Sequence, residues 1–385
     1  MIRGEFEAKF GCLPEVVARA PGRIEFIGNH TDYNGGSVIG ATIGFDVQFA
    51  ATTRKDGKVR LISASMEEEV LVDGGEVRPL SGPGAWANYP LGVRRELSRA
   101  GYPVDSGLNG LVVSDLASGA GMSSSAALEL SAAYAIASLH GITVDRAEMV
   151  KLCRRAENEF VGVPCGMLDQ GVSAFGGCDR LVHIDCGSEK VTPIALPPGC
   201  SFWIFNTGVK HALVDSKYAE RHRECREAYE LLKATGSSAD CLALVAPSFV
   251  RSERMRLGET LYHRALHVTE ENQRVARAVE ALAEGDLKSV GALLAESHVS
   301  SRDNFQNSCE ELDFVVDRIG DIDGVYGARL SGGGFGGAVM AMVATGADFS
   351  DRVSVINGQY CSRFGHRFDA LPVELGVGAG VVVED

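Results

Sequence analysis

Six polar residues that could bind or activate a ligand occupy ten successive positions near the start of the chain. They lie in PGRIEFIGNHTDYNGG, residues 21–36, and they are Arg23, Glu25, Asn29, His30, Thr31 and Asp32. Arg23 supplies a fixed cation. Asn29, His30 and Asp32 supply the closely spaced donors and acceptors that a ligand with several hydroxyl groups requires. Because apolar residues are threaded between them, the pattern favours a short buried strand that delivers its polar end into a cleft.

A glycine- and serine-rich segment could hold a phosphate group. Residues 118–130 read SGAGMSSSAALEL, and the loop leads directly into a helix N-terminus, where unpaired N–H groups and the helix dipole favour an anion. Three successive serines add hydroxyl groups for a phosphate or a metal ion. Local sequence alone also allows an ordinary serine cap on a buried helix. The sequence contains no GxxxxGK[ST], so this is not a Walker-type phosphate loop.

A second glycine-rich run, SGGGFGGAVM at residues 331–340, contains Gly332, Gly334 and Gly337 at GxGxxG spacing. That spacing permits a dinucleotide-binding strand-loop-helix unit. The apolar AVMAMVAT that follows is more typical of a strand than of a helix, and this argues against such a unit. A tight connection between two strands is the alternative, although the density of glycines favours close approach to a ligand.

Asp169 lies among small and apolar residues in ENEFVGVPCGMLDQGVSAFGG, residues 157–177. An unpaired carboxylate in such a setting is expensive, so it is usually partnered or catalytic. The alternative is an aspartate that caps the following helix. Farther along, His263 and His267 have the spacing of HExxH, but Arg264 occupies the glutamate position. We therefore expect a solvent-facing pair there and no zinc site.

The elements that must position these residues follow from the hydrophobic patterns. Residues 17–72 are strand-like, 86–101 helical, and 216–294 mostly helical, and the last hundred residues mix helix and strand. A chain of 385 residues exceeds what one core usually serves. We expect two domains: an N-terminal mixed-sheet domain over 1–200 and a C-terminal α+β domain over 201–385.

Composition excludes several classes of function. The net charge of −14 makes the chain a poor partner for nucleic acid or an anionic membrane. The sequence has no apolar run of about 18 residues, which a membrane span would require, and its start lacks the apolar core of a signal peptide. The ten cysteines are scattered without a CxxC pair, which is typical of free thiols in a reducing cytoplasm.

Taken together and in this order, the four segments resemble the galactokinases, a branch of the GHMP family of small-molecule kinases. The family signature GRxNxIGEHTDYNxG corresponds to GRIEFIGNHTDYNGG here. GGGLSSSA corresponds to SGAGMSSSA, PCGxMDQ to PCGMLDQ, and GGGFGGC to GGGFGGA. Further family-like stretches are WANY, SKYAERHREC and ESHVSSRDNFQNSCEELD. The resemblance spans nearly the whole chain.

The resemblance implies an α/β (α+β) protein with a two-domain GHMP-kinase-like fold and an active site in the cleft between the domains. It implies transfer of the γ-phosphoryl group of ATP to the anomeric hydroxyl of galactose, with Mg²⁺ as cofactor, in a chain that we expect to be a monomer. Asp169 matches the catalytic aspartate of the family. Arg23 matches the neighbouring arginine, which would keep Asp169 ionised and offset charge on the transferred group.

The resemblance also distributes residues over the cleft. The sugar would face Asn29, His30, Asp32, Gly166 and Tyr218. The adenine would lie near Trp86, and the phosphates on Gly119, Ala120, Gly121, Met122, Ser123, Ser124 and Ser125. Ser124 and Glu157 would hold Mg²⁺. Gly333 and Gly334 would line the cleft near the sugar and the phosphates.

One position departs from the pattern, because galactokinases have glutamate where this chain has Asn29. Kinases of related sugars (galacturonate, N-acetylgalactosamine or arabinose) therefore remain alternatives. A non-catalytic sugar and ATP sensor is another, although Arg23, Asp169 and the three serines are intact. If galactose is the substrate, we expect Asn29→Glu to leave activity level or to raise it.

Overall fold

The computed structural model describes residues 2–75, 77–116, 121–210, 214–347 and 349–383, with side chains at 210 and 214–216 excluded. The α-helices are α1 (Ile2–Phe10), α2 (Asn88–Arg99), α3 (Ser124–Leu139), α4 (Arg146–Ala156), α5 (Leu168–Phe175), α6 (Val214–Ala234), α7 (Pro247–Ser252), α8 (Arg254–Glu284), α9 (Leu287–Ser300), α10 (Glu310–Gly320) and α11 (Ser350–Phe364). Short 3₁₀ turns span Asp32–Asn34, Gly82–Ala87 and Leu242–Leu244, and π-helical turns span Glu157–Val161 and Ser301–Phe305.

The strands are β1 (Val16–Ile27), β2 (Ser37–Arg54), β3 (Lys58–Ser63), β4 (Glu68–Asp73), β5 (Gly107–Ser114), β6 (Arg180–Asp185), β7 (Lys190–Ala195), β8 (Cys200–Lys210), β9 (Val325–Ser331), β10 (Gly336–Ala344), β11 (Asp369–Val373) and β12 (Gly380–Val381). They form an eight-stranded sheet in the order β12-β1-β2-β5-β3-β4, in which β6 also pairs with β2, and β7 pairs with β6. A second sheet has the order β11-β8-β10-β9.

The first sheet positions the polar segment of residues 21–36. Strand β1 is buried along almost its entire length and pairs antiparallel with β2. Helix α3 packs across both strands. Its buried face consists largely of alanines, whose small side chains let the helix lie close to the sheet. The second half of β1 lies beside the start of α3, since the backbone N–H of Arg23 donates to the carbonyl of Met122.

The second glycine-rich run is a turn between two strands. Strand β10 begins at Gly336 and pairs antiparallel with both β9 and β8. Since no helix follows the glycines, a dinucleotide-binding unit is excluded there, and the predicted strand is confirmed. Helices α10 and α11 pack against this sheet, and the small core that they share with it includes Leu312, Val339 and Tyr360.

Most of the predicted helical block of residues 216–294 is helical, in α6, α7, α8 and α9. The predicted domain boundary at residue 200 stays a prediction. The C-terminal end of the chain does not follow it. Strand β12 pairs with β1, so the last residues return to the first sheet. None of the helices in the described part of the chain combines the length and apolar character that a membrane crossing requires.

Buried polar contacts join the two halves next to the end of β1. The Arg329 side chain is fully buried and donates to the backbone carbonyls of Glu25 and Phe26 and to the Glu25 carboxylate. The Glu271 carboxylate on α8 accepts from the backbone N–H groups of Gly28 and Asn29. These contacts hold the polar segment between the sheets.

The expectation of a solvent-facing histidine pair is wrong for His267. Its ring is fully buried; Nε2 donates to the carbonyl of Asn29 at 3.0 Å, and Nδ1 accepts from the hydroxyl of Ser300 at 2.9 Å. Burial lowers the pKa of His267 to about 4. His267 thus supports the polar segment from α8. Both of its ring nitrogens are engaged by protein groups, so it is not a metal ligand here.

Candidate active site

Two adjoining cavities lie between the two sheet-containing halves. The larger has a volume of about 600 Å³, and its lining includes Arg23, Glu25, Asn29, His30, Asp32, Ser125, Glu157, Gly166, Asp169, Tyr218, Gly332 and Gly333. The smaller, about 290 Å³, is lined by Arg23, Gly121, Met122, Ser123, Ser124, Ser125, Asp169 and Gly333. Four lining residues are shared, so the cavities meet at Arg23, Ser125, Asp169 and Gly333.

Asp169 stands at this junction, in the first turn of α5. Arg23 donates to its Oδ1 through both Nε, at 2.9 Å, and a terminal nitrogen, at 2.7 Å. The hydroxyl of Ser123 donates to Oδ2. The Arg23 side chain is only 7% exposed, whereas that of Asp169 is 27% exposed. The carboxylate is therefore fixed on one side and open to the cavities on the other, and it is not a helix cap.

The serine-rich segment forms the wall of the smaller cavity. Ser123 has a left-handed backbone, with φ of 57°, and precedes the first turn of α3. The N–H groups of this first turn have no acceptor within the helix and can meet an anion. Arg23 anchors the approach to the helix, because its side chain donates to the carbonyl of Gly121 at 2.6 Å and its backbone N–H to that of Met122 at 3.1 Å. Gly119 and Ala120 lie outside the described residues.

The two residues expected to hold Mg²⁺ do not face the same cavity. Ser124 is exposed and lines the smaller cavity, whereas Glu157 is buried and lines the larger one. Ser125 lines both cavities, and its hydroxyl interacts with the Glu157 carboxylate. Burial and the nearby Asp169 charge raise the pKa of Glu157. The arrangement thus offers the oxygen donors that Mg²⁺ prefers, with Ser125 better placed than Ser124.

Asp32 faces the larger cavity, beside Gly166. Its pKa is raised to about 7 by burial and by the charges of Asp169 and Glu25, and the backbone N–H of Tyr33 and the Arg23 charge oppose the rise only partly. A carboxylate with few protein partners is suited to accept hydrogen bonds from ligand hydroxyl groups.

Gly166→Ala should displace the Asp32 carboxylate, because a Cβ at Gly166 would lie 1.9 Å from its Oδ2 and 2.8 Å from its Cβ. A hydrogen bond to a charged group contributes about 1.5–3 kcal/mol. We therefore expect kcat/KM for the sugar to fall about 10- to 100-fold, with KM for ATP nearly unchanged. Gly358→Ala is the matched control, since a Cβ there meets nothing within 4 Å. Equal kinetics in both variants would contradict the assignment of Asp32 to the sugar.

His30 and Tyr218 form one wall of the larger cavity, with ring centroids 5.2 Å apart. Both ring nitrogens of His30 are engaged: Nε2 donates to the carbonyl of Gly333 at 3.1 Å, and Nδ1 accepts from the Tyr33 hydroxyl at 2.8 Å. Burial lowers the pKa of His30 to about 3, so the ring is neutral. The contacts of His30 and Tyr218 with a sugar stay predictions, and the geometry adds a supporting function for His30.

The geometry opposes the expectation that Asn29 binds a sugar hydroxyl. Its side chain is fully buried, and protein groups occupy all of its hydrogen-bonding positions. Nδ2 donates to Glu25 and to the carbonyl of Gly332, each at 2.9 Å. Oδ1 accepts from Asn307 at 2.8 Å and from Ser301 at 3.2 Å.

Three other expected residues occupy distinct places. Trp86 is 8% exposed, packs in the core of the first domain and lines neither cavity, so its contact with adenine stays a prediction. Gly333 lines both cavities. Gly334 lies behind the lining, where a Cβ would come within 2.1 Å of the backbone oxygen of Asn307.

Sequence reasoning assigned no function to several residues that build the site. Glu25 lies within the quoted signature, where the family pattern has asparagine. This difference from the pattern could have identified Glu25 from the sequence. Gln170 donates to both Glu129 and Glu157 and so sets the buried acidic wall behind Ser125. Arg329 and Asn307 reach the site from the distant C-terminal half, and no local pattern identified them.

Comparison with known proteins places the chain in a family. Three family models match: the "Galactokinase galactose-binding signature" over residues 4–53, "GHMP kinases N terminal domain" over 88–177 and "GHMP kinases C terminal" over 278–357. A galactokinase from Chloroflexus aurantiacus is 36% identical over 98% of this chain and 96% of its own length. A galactokinase from Roseiflexus sp. is 37% identical over 89% of this chain and 87% of its own.

Solved structures agree with these matches. A Lactococcus lactis galactokinase complexed with galactose superposes with a TM-score of 0.93 at 33% identity, and the match covers 98% of each chain. Mevalonate kinase from Methanococcus jannaschii shares the fold, with a TM-score of 0.66 at 16% identity. The predicted two-domain GHMP-kinase-like fold is therefore confirmed. On the sequence identity over most of its length, and with the signature segments gathered around two joined cavities, the chain belongs to the galactokinase family of ATP-dependent sugar kinases.

Proposed function

We propose that this protein transfers the γ-phosphoryl group of ATP to the anomeric hydroxyl of galactose. The observation that supports it best is the junction at Asp169. A cavity whose lining includes four carboxylates and a cavity walled by a helix N-terminus share the Asp169 carboxylate and Arg23. A hydroxyl in the first cavity and a phosphate in the second would both reach the junction, which is the positioning that phosphoryl transfer requires.

In this mechanism the sugar hydroxyl oxygen forms a bond to the γ-phosphorus, and the bond from that phosphorus to the oxygen that remains on ADP breaks. The hydroxyl proton passes to Asp169. Oδ1 already accepts two hydrogen bonds from Arg23, whereas Oδ2 accepts one from Ser123. Oδ2 therefore retains a free lone pair for the proton. Arg23 stabilises charge that develops on the transferred group.

The phosphates of ATP would lie against the first turn of α3, where backbone N–H groups and the hydroxyls of Ser123, Ser124 and Ser125 are available. The donor set of Ser125 and Glu157 fits Mg²⁺, which would neutralise phosphate charge when bound. We propose Ser125 and Glu157 as the protein ligands, in place of the expected Ser124 and Glu157. Both residues line the larger cavity, and their hydrogen bond with each other supports this choice.

The lining of the larger cavity favours a neutral sugar. Its carboxylates are Glu25, Asp32, Glu157 and Asp169, and Arg23 is the one arginine or lysine among the described residues that line it. An anionic sugar such as galacturonate would be repelled by this set. Galactose is therefore favoured over the charged alternative, and the catalytic junction is intact, which disfavours a non-catalytic sensor.

The direct test is to incubate the pure protein with ATP, Mg²⁺ and single sugars, namely galactose, galacturonate, N-acetylgalactosamine and arabinose. ADP release would be measured, and the product identified by phosphorus NMR. We expect galactose to have the highest kcat/KM and a phosphate on its anomeric oxygen. A sugar that is phosphorylated tenfold better would replace galactose as the substrate, and absence of ADP with every sugar would favour the sensor.

The pH profile tests the contribution of Asp32. Its pKa of about 7 means that the carboxyl loses its proton as the pH rises through that value. If the ionised form accepts the sugar hydroxyls, kcat/KM for galactose should increase with pH up to about 7 and then level off. Asp32→Asn should lower the plateau and remove this limb. At saturating galactose, kcat/KM for ATP should lack the limb, and its presence there would assign the titration to another group.

We also propose that the protein is a monomer in the cytoplasm with no nucleic-acid or membrane partner. The acidic charge and ten free cysteines support this proposal. Light scattering that gives the mass of one chain at micromolar concentration would agree with a monomer, and twice that mass would contradict it.

A further inference from the structure

Glu25 and Asn29 form a directly bonded pair at the floor of the larger cavity. Nδ2 of Asn29 donates to Oε1 of Glu25 at 2.9 Å, and Arg329 donates to the same oxygen at 2.9 Å. The Glu25 side chain is 5% exposed and that of Arg329 is fully buried. One oxygen of the carboxylate is thus fully used in holding the pair together.

The other oxygen of Glu25 has a different environment. Oε2 receives no hydrogen bond from the described residues, yet it is not among the buried polar atoms that lack a partner. An unpaired oxygen that is not sealed in protein must be open to the space beside it, and Glu25 lines the larger cavity. Oε2 is therefore available to a ligand there.

Asn29 is the opposite case. An amide side chain has two N–H donors and two acceptor lone pairs, and its neighbours Glu25, Gly332, Asn307 and Ser301 occupy all four. A ligand could bind Asn29 only by breaking one of these buried bonds.

Comparison with the family signature shows what distinguishes this pair. The family pattern GRxNxIGEHTDYNxG has asparagine where this chain has Glu25 and glutamate where it has Asn29. The carboxylate and the amide have exchanged positions, four residues apart, and the structure shows the two side chains in contact. The departure at Asn29 is therefore one half of a reciprocal exchange that keeps one carboxylate and one amide at the cavity floor.

We propose that Glu25 is the specificity-determining residue that accepts a hydrogen bond from a non-anomeric hydroxyl of the sugar through Oε2, and that Asn29 is a positioning residue for Glu25. This inference rests on the proposed function. The anomeric hydroxyl is assigned to Asp169, so Glu25 contacts a different part of the ring. Arg329 forms an ion pair with the Glu25 carboxylate at 2.9 Å and offsets part of the cost of burying it, a burial that raises the pKa of this carboxyl.

The inference reverses the expected effect of Asn29→Glu. A glutamate at this position would bring a second carboxylate within hydrogen-bonding distance of Glu25 in a buried site, and like charges there are unfavourable. Activity on galactose should therefore fall, although a glutamate is what the family pattern contains. The mutation should be tolerated only if position 25 changes with it.

A swap cycle tests the pair, with kcat/KM for galactose measured at saturating ATP. We expect Asn29→Glu and Glu25→Asn each to lower it at least tenfold, the first by repulsion between two carboxylates and the second by removing the carboxylate that pairs with Arg329 and faces the cavity. The double variant, which restores the family arrangement, should return to within about threefold of the wild type. If the two single-variant decreases in kcat/KM instead multiplied in the double variant, positions 25 and 29 would act independently and the proposed pairing would be wrong.

A second measurement separates sugar contact from a structural effect. Glu25→Gln preserves shape and would be compared with the wild type on galactose and on its 2-, 3-, 4- and 6-deoxy derivatives. For galactose, kcat/KM of Glu25→Gln should be at least tenfold below that of the wild type. For the one deoxy sugar that lacks the contacted hydroxyl, kcat/KM should be the same in both proteins. If Glu25→Gln lowered kcat/KM by the same factor for every sugar, the inference about Glu25 would be overturned. The proposed function would still stand, provided that the wild type phosphorylates galactose. A wild type inactive on galactose would reject the function itself, and Kd values for the same sugars would then decide on Glu25.

Discussion

Asp169→Asn is expected to lower kcat for galactose by about 10²- to 10⁴-fold, the range typical of a positioned general acid or base. The substitution keeps the size of the side chain and removes its negative charge and its ability to take a proton. Nε of Arg23 can still donate to the amide oxygen, so the fold and the phosphate loop should remain in place. KM for ATP should therefore change little, and the loss should appear in the chemical step.

The control for this variant is Asp179→Asn. Asp179 also pairs with an arginine, Arg180 at 2.8 Å, but its side chain is 76% exposed. An exposed pair of this kind contributes at most about 1 kcal/mol to stability, and it is not part of either cavity. If Asp169→Asn retained more than about half of the wild-type kcat, Asp169 would not be the proton acceptor, and the junction would need another catalytic group.

Much of the site could be predicted because its segments are local in sequence. The serines at 123–125 mark the start of a helix, apolar residues alternate with polar ones in the strand that ends at residue 27, and GGGFGGA is followed by β-branched and apolar residues. Each pattern depends on neighbours within ten positions, and each appears in the structure as expected. Family resemblance then supplied the spatial relation between them, which spacing alone could not provide.

The contacts that sequence reasoning missed are long-range. Arg329 and Asn307 lie about three hundred residues from the polar segment that they support. The buried ring of His267 contacts the carbonyl of Asn29, 238 residues earlier in the chain, and β12 pairs with β1 of the first sheet from the far end of the chain. Hydrophobic period and turn residues carry no information on such pairs, so the saturation of Asn29 and the free oxygen of Glu25 emerged only from the assembled fold.

This network also has a consequence for the coupling of the two halves. Asn29 and His30 donate to the carbonyls of Gly332 and Gly333, and Asn307 donates to both Asn29 and Gly333. The polar segment of the first domain and the glycine turn of the second are therefore joined by buried and half-buried hydrogen bonds beside the larger cavity. Sugar recognition through Glu25 would thus be sensitive to changes on either side of the interface.

Arg23→Lys is expected to lower kcat by about 10²- to 10³-fold, comparable to removing a preorganised donor from an enzyme's charge-stabilising site. Lysine keeps the positive charge but lacks the planar fork of arginine. It can replace at most part of the three-way contact in which Arg23 donates twice to Asp169 and once to the carbonyl of Gly121. Because Gly121 lies within the segment proposed to hold the phosphates, KM for ATP should rise as well, unlike in Asp169→Asn.

Arg19→Lys on the same strand is the matched control. Arg19 pairs with Asp46 at 3.8 Å, its side chain is 43% exposed, and it lines neither cavity. Its replacement should leave kcat and both KM values within about twofold of the wild type, since surface ion pairs contribute little. Kinetics of Arg23→Lys that matched this control would mean that charge alone suffices at position 23. The fork that binds Asp169 to the phosphate loop would then have no part in catalysis.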